Sequence, residues 1–73
     1  MLNENKTAYI IVHLSILTGF KRWMLENNVV LISSVIDYSR PSTIPTTPIS
    51  YENVIVYVSC TAEQEIVMRL RFE

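Results

Sequence analysis

An α+β fold is predicted for this chain: a small, mainly antiparallel sheet of four strands with one short helix against its aliphatic face. Three observations predict it. Apolar residues recur at period two in the first and last thirds of the chain. They switch to helical spacing once, around Phe20 to Met24. Three prolines between residues 41 and 48 split the sequence into two structured halves. An all-β barrel of five strands, with residues 20–25 as a strand, is the alternative.

Residues 1–7 are polar and are read as frayed. From Ala8, the residues Ile10, Val12, Leu14 and Ile16 make one aliphatic face, and Tyr9, Ile11, His13 and Ser15 the other. That is a strand with one core face and one mixed face. Phe20, Trp23 and Met24 fall at i, i+3 and i+4, with Leu17 one turn earlier. Thr18 can cap this segment, and Asn27-Asn28 can end it in the left-handed conformation, so a helix of about two turns is expected over Thr18–Asn28. Val29 to Tyr38 is the second strand. Both of its faces are apolar at the start, which predicts a central position. Ser33-Ser34 breaks the alternation and suggests a bulge.

Ser39 to Ser50 carries Pro41, Pro45 and Pro48 and is a loop, long for so small a domain. Asn53 to Cys60 is the third strand, with Val54, Val56, Val58 and Cys60 toward the core. Thr61 to Glu73 sends two signals. Thr61-Ala62-Glu63-Gln64 has the form of a capping box. Ile66, Met68, Leu70 and Phe72, however, alternate with Val67, Arg69, Arg71 and Glu73. The eight alternating residues outweigh the four-residue cap, and a fourth strand hairpinned to the third is predicted, with Ile66, Met68, Leu70 and Phe72 buried.

The 73 residues are expected to form one domain. A chain of this length buries only about 60% of its unfolded surface, so its core is marginal. Cys60 is the only cysteine, which excludes an internal disulfide and points to a reducing, cytoplasmic setting. Cys60 and His13 are the only soft ligands, so neither metal nor cofactor is expected. With net charge −1 and 49% apolar residues, the chain is not disordered and has no long-range field for phosphate or acidic lipid. The apolar run from Ala8 to Phe20 is too short to span a bilayer and is broken by His13, so no membrane association is expected. Ile, Asn, Lys, Tyr and Phe number 22 against 10 for Gly, Ala, Arg and Pro. That excess matches an AT-rich genome, as in many bacteria and their viruses.

Catalysis is weakly represented. His13 and Cys60 could form a base and nucleophile, but Cys60 continues a core face and His13 lies on the opposite kind. A single glycine excludes a phosphate loop. The segment Pro45-Thr46-Thr47-Pro48 matches a bare PxxP pattern without a flanking basic residue. More informative are the mixed faces. Tyr9, His13, Tyr57, Arg69 and Arg71 all point away from the core in this reading, and Ile44 and Ile49 are apolar tips on the Pro-rich loop. Tyr and Arg are enriched at protein–protein hot spots. These seven residues are the expected partner-binding set. The predicted function is a non-catalytic protein-binding module, a small inhibitor or regulator of a host protein encoded by a virus or mobile element. Association is expected as a homodimer or with a protein partner. The alternative is a single-stranded nucleic-acid binder that stacks bases on the open sheet face; the near-neutral charge disfavours it.

Overall fold

The computed structural model describes residues 4–39 and 51–73. The fold is α+β, as the period change predicts. Strand β1 spans Lys6–His13 and leads through a 3-10 turn at Leu14–Ile16 into helix α1, Leu17–Glu26. Strands β2, Val30–Ile36, and β3, Asn53–Cys60, follow, and helix α2, Ala62–Phe72, ends the chain. The sheet is antiparallel in the order β1-β3-β2. β3 is therefore central, and the β1-α1-β2 connection steps over it.

The period-two face of β3 behaves as its sequence implies: Val54, Val56, Val58 and Cys60 are buried. Cross-strand partners share a face, so the register of Ile10 with Val56, Ala8 with Val58 and Val12 with Val54 builds the core floor. Phe20, Trp23 and Met24 of α1 cover this floor together with Met68 of α2. Phe72 packs edge-on against Phe20, with ring centroids 4.9 Å apart, and against Trp23 at 5.6 Å. Both helices thus lie on one face of the sheet.

α1 ends in a Schellman motif. Asn28 adopts φ 58°, and the Val29 N–H donates to the Met24 carbonyl at 2.9 Å. This is the left-handed stop expected at Asn27-Asn28. The start differs from expectation, because no side chain caps α1. His13 instead caps the preceding turn: its Nδ1 accepts from the Ser15 N–H at 3.1 Å. That capping ends β1 at His13, so Leu14 and Ile16 do not continue its core face and are exposed. β1 also begins earlier than expected, at Lys6.

The predicted fourth strand is a helix. The capping box at Thr61 is fully formed: Gln64 N–H donates to Thr61 Oγ1 at 3.1 Å, and Thr61 N–H to Gln64 Oε1 at 2.8 Å. Glu63 and Glu65 sit in the first turn and Arg69 and Arg71 in the last, the arrangement the helix dipole favours. Arg69 adds i,i+4 ion pairs to Glu65 and Glu73. A strand hairpinned to β3 would also need an edge of β3, and β1 and β2 occupy both. Of the four residues expected to be buried, Met68 is buried and Phe72 half-buried, four apart on the inner stripe, while Ile66 and Leu70 are exposed.

β2 is the second correction. Its two apolar faces predict a central strand, yet it lies at the sheet edge, and all seven residues are exposed. A register shift between Leu31 and Ser33 places the bulge one step before the expected serine pair. The Pro-rich loop falls almost wholly outside the described residues. Tyr38 and Tyr51, which flank it, have ring centroids 4.9 Å apart. Among the described residues, no helix is long and apolar enough to cross a membrane.

Candidate functional site

Helices on one face leave the other face of the sheet open. Pleat alternation puts Tyr9, Ile11 and His13 of β1 on that face, opposite Tyr57, Ile55 and Asn53 of β3. Val35, the β2 partner of Ile55, extends it. Tyr9 and Tyr57 are direct cross-strand partners with ring centroids 6.2 Å apart. Between its polar ends, Thr7 with Ser59 and His13 with Asn53, this face is a band of aromatic and aliphatic side chains on a three-strand platform.

Of the expected partner-binding residues, the structure brings together Tyr9 and Tyr57 at the middle of the face. His13 lies on the same face at the far end of β1. Arg69 and Arg71 do not share it, because they are carried by α2 on the other side. Arg69 nevertheless reaches around the β1 edge. Its guanidinium donates to the Tyr9 carbonyl at 2.9 Å and lies 5.9 Å from the Tyr9 ring centroid. With Glu65 and Glu73 also bonded to it, Arg69 is a structural clamp. Arg71 is exposed, with its guanidinium over the Phe72 ring. Ile44 and Ile49 lie outside the described residues.

The His13–Cys60 pair does not assemble. Cys60 pairs with Lys6 at one end of β1, and His13 lies at the other. Cys60 is also fully buried. Burial, reinforced by the nearby Glu65 charge, pushes its thiol above the usual range, which suppresses the thiolate.

A polar trio at the His13 end was not anticipated. Ser15 Oγ lies 2.8 Å from His13 Nδ1, and Glu52 Oε2 lies 3.1 Å from Nε2. A backbone N–H can only donate, so the Ser15 N–H bond makes Nδ1 an acceptor and places the ring proton on Nε2, toward Glu52. The side chains of His13 and Glu52 are 47% and 41% exposed. Solvent screens a carboxylate at that exposure, and Nδ1 is already engaged in capping the turn. The trio is therefore read as the joint that closes β1 onto Glu52, whose carbonyl accepts the Leu14 N–H at 2.7 Å. Among the described residues, no three of His, Cys, Asp and Glu gather as a metal ion would require.

Sequence reasoning missed the surface beside β2. The apolar side chains Val30, Leu31, Ile32, Val35 and Ile36 are each 42–57% exposed. Below them, on the helix side, a shallow groove of about 400 Å³ is lined by Met24, Leu25, Asn28, Val29, Val30 and Leu31. The signal was present in the two-sided apolar pattern of Val29 to Ile36, which marks a strand that needs cover on both faces. Comparison of the chain with protein-family models, with curated proteins and with solved structures finds no match.

Proposed function

We infer that the chain is a protein-binding module whose binding surface is the open sheet face, and that it acts by occupying its partner, as an inhibitor or regulator does. The observation that carries this is the Tyr9–Tyr57 pair, half-exposed at the centre of that face and flanked by Ile11, Ile55 and Val35. Aromatic anchors on a rigid strand lose little conformational entropy on docking, and a surrounding aliphatic patch excludes water from them. The nucleic-acid alternative needs cations beside the rings. Arg71 sits on the opposite layer, and Arg69 is already bonded to two carboxylates and a backbone carbonyl.

The test compares capture of proteins from nuclease-treated lysate by the wild-type chain and by Tyr9→Ser/Tyr57→Ser. It is paired with binding of an oligothymidylate at low and high salt. A protein captured by the wild type and lost with the double variant supports the reading. Tight oligothymidylate binding that weakens steeply with salt, through counterion release, would replace it with the nucleic-acid one.

A further inference from the structure

We propose that β2 is the self-association edge of this protein: two copies pair β2 to β2 antiparallel about a two-fold axis near Ser34, making one continuous six-stranded sheet.

Backbone geometry defines the free groups. The Asp37 N–H donates to the Asn53 carbonyl at 2.9 Å. Bonded residues alternate along an antiparallel strand, so Val35 and Ser33 turn their peptide groups toward β3. Ser34 and Ile36 therefore turn theirs outward, on the edge of the sheet where every residue of β2 is exposed and no other strand of the described residues pairs. Edge strands of monomeric proteins are ordinarily blunted by lysine, proline or an inward-pointing charge. Val30–Ile36 reads Val-Leu-Ile-Ser-Ser-Val-Ile and contains none of these.

A second copy is the occupant that this surface fits. An antiparallel pair about a two-fold at Ser34 sets the residues before it against those after it in the other copy, so the apolar Leu31–Ile32 end meets the apolar Val35–Ile36 end. This edge is uncharged throughout, and its centre is the small pair Ser33-Ser34. A two-fold perpendicular to the sheet keeps both α1 helices on the same side. On the helix side, the groove beside Leu31 and the 81% exposed Leu25 then lies against the Ile36 end of the other copy. The five apolar side chains of β2 together with Leu25 are 42–81% exposed, which leaves at most roughly 500 Å² per copy for a second copy to cover, so the pairing reaches at most about 1,000 Å² in total, where specific interfaces begin. A net charge of −1 adds no appreciable repulsion between copies. Tyr9 and Tyr57 lie on β1 and β3, away from the β2 edge, so of the residues proposed above to bind the partner only Val35 is shared with this association.

The experiment is sedimentation of the full chain over a micromolar dilution series, with Ser34→Pro, Leu70→Lys, Ser34→Cys and Tyr9→Cys. Ser34→Pro removes an outward N–H and spares the ladder to β3. The wild type is expected to sediment at twice the chain mass. Ser34→Pro, with circular dichroism unchanged, should weaken dimerisation about tenfold or more, and Leu70→Lys, on the exposed stripe of α2, should leave it intact. Under mild oxidation Ser34→Cys should form a disulfide-linked dimer and Tyr9→Cys should not; the natural Cys60 is buried. A monomeric wild type at every concentration would overturn the proposal. So would a dimer broken by Leu70→Lys, or crosslinking through Tyr9→Cys with none through Ser34→Cys. If Ser34→Pro unfolds, the cysteine pair decides the question alone.

Discussion

The two edges of the sheet are finished in opposite ways. At the β1 edge, the Arg69 guanidinium occupies the outward Tyr9 carbonyl, and the Lys6–Glu65 ion pair closes the end of the strand. Charge and a side-chain donor make that edge a poor template for another strand. At the β2 edge no charged group intervenes between Val30 and Ile36, and aliphatic side chains are open on both faces. The helices reinforce the difference, since α2 sends Arg69 over β1, whereas α1 stops short of covering β2. One chain thus protects one edge and presents the other, which is why the proposed association is placed at β2.

The largest effect that could break this comparison is in the core. Ile10→Ala on β1, at a fully buried position, is expected to cost about 2–5 kcal/mol. Ile36→Ala on β2 should cost under about 1 kcal/mol in the monomer. Urea denaturation of both variants at a concentration too low for dimers measures the gap. Equal losses would mean that β2 is covered within a single copy.

Arg69→Ala comes next. It removes the clamp on Tyr9 and two i,i+4 ion pairs, with an expected loss of about 1 kcal/mol after allowance for solvent screening. The more telling readout is hydrogen exchange at the β1 edge, which should accelerate, together with a rise in thioflavin-binding aggregates. An Arg69→Ala protein that stays as unaggregated as the wild type would show that the guanidinium does not guard the edge.

A smaller effect is pH-dependent. The hydrogen bond from Lys6, followed by that from Arg69, holds the Glu65 carboxyl below the ordinary carboxylate range. A group whose pKa is lower folded than unfolded stabilises the fold fully above its unfolded value. That contribution is lost as pH falls through the folded one. Part of the acid-side decline in stability should therefore vanish in Glu65→Gln, measured by thermal melts from neutral pH downward. An unchanged acid slope would remove Glu65 from the β1 guard.

The smallest expected change is Leu70→Ala. Leu70 is 83% exposed, so the loss should stay within about 0.5 kcal/mol by the same denaturation assay. A loss of several kcal/mol would imply that the outer stripe of α2 is covered.

Much of this organisation is legible in local sequence. The clean alternation of Val54 to Cys60 marks β3 at its observed boundaries, because each second residue had to be apolar for one strand face to be buried. Phe20, Trp23 and Met24 with Asn27-Asn28 mark α1 and its end. The open-face pair Tyr9 and Tyr57 was legible for the same reason, as off-core positions on two period-two strands. Arg69 and Arg71 were misplaced because period two was extended across a segment whose capping box and i,i+4 charges make a helix. Apolar residues two apart occur on helices as well as strands, whereas a reciprocal cap with ordered charges is specific to a helix.

The sequence by itself determined the α+β class, the strand β3, the helix α1 and the aliphatic floor of the core, since these follow from periodicity and termination signals carried within a few residues. Tertiary structure alone decided that β3 is central and β2 an edge. Strand order depends on which partners compete for each backbone ladder, and no local pattern records that competition. Val29 to Ile36 reads as a strand requiring cover on both sides. Within one copy, β1 and the two helices are committed elsewhere, so that requirement is left at the surface.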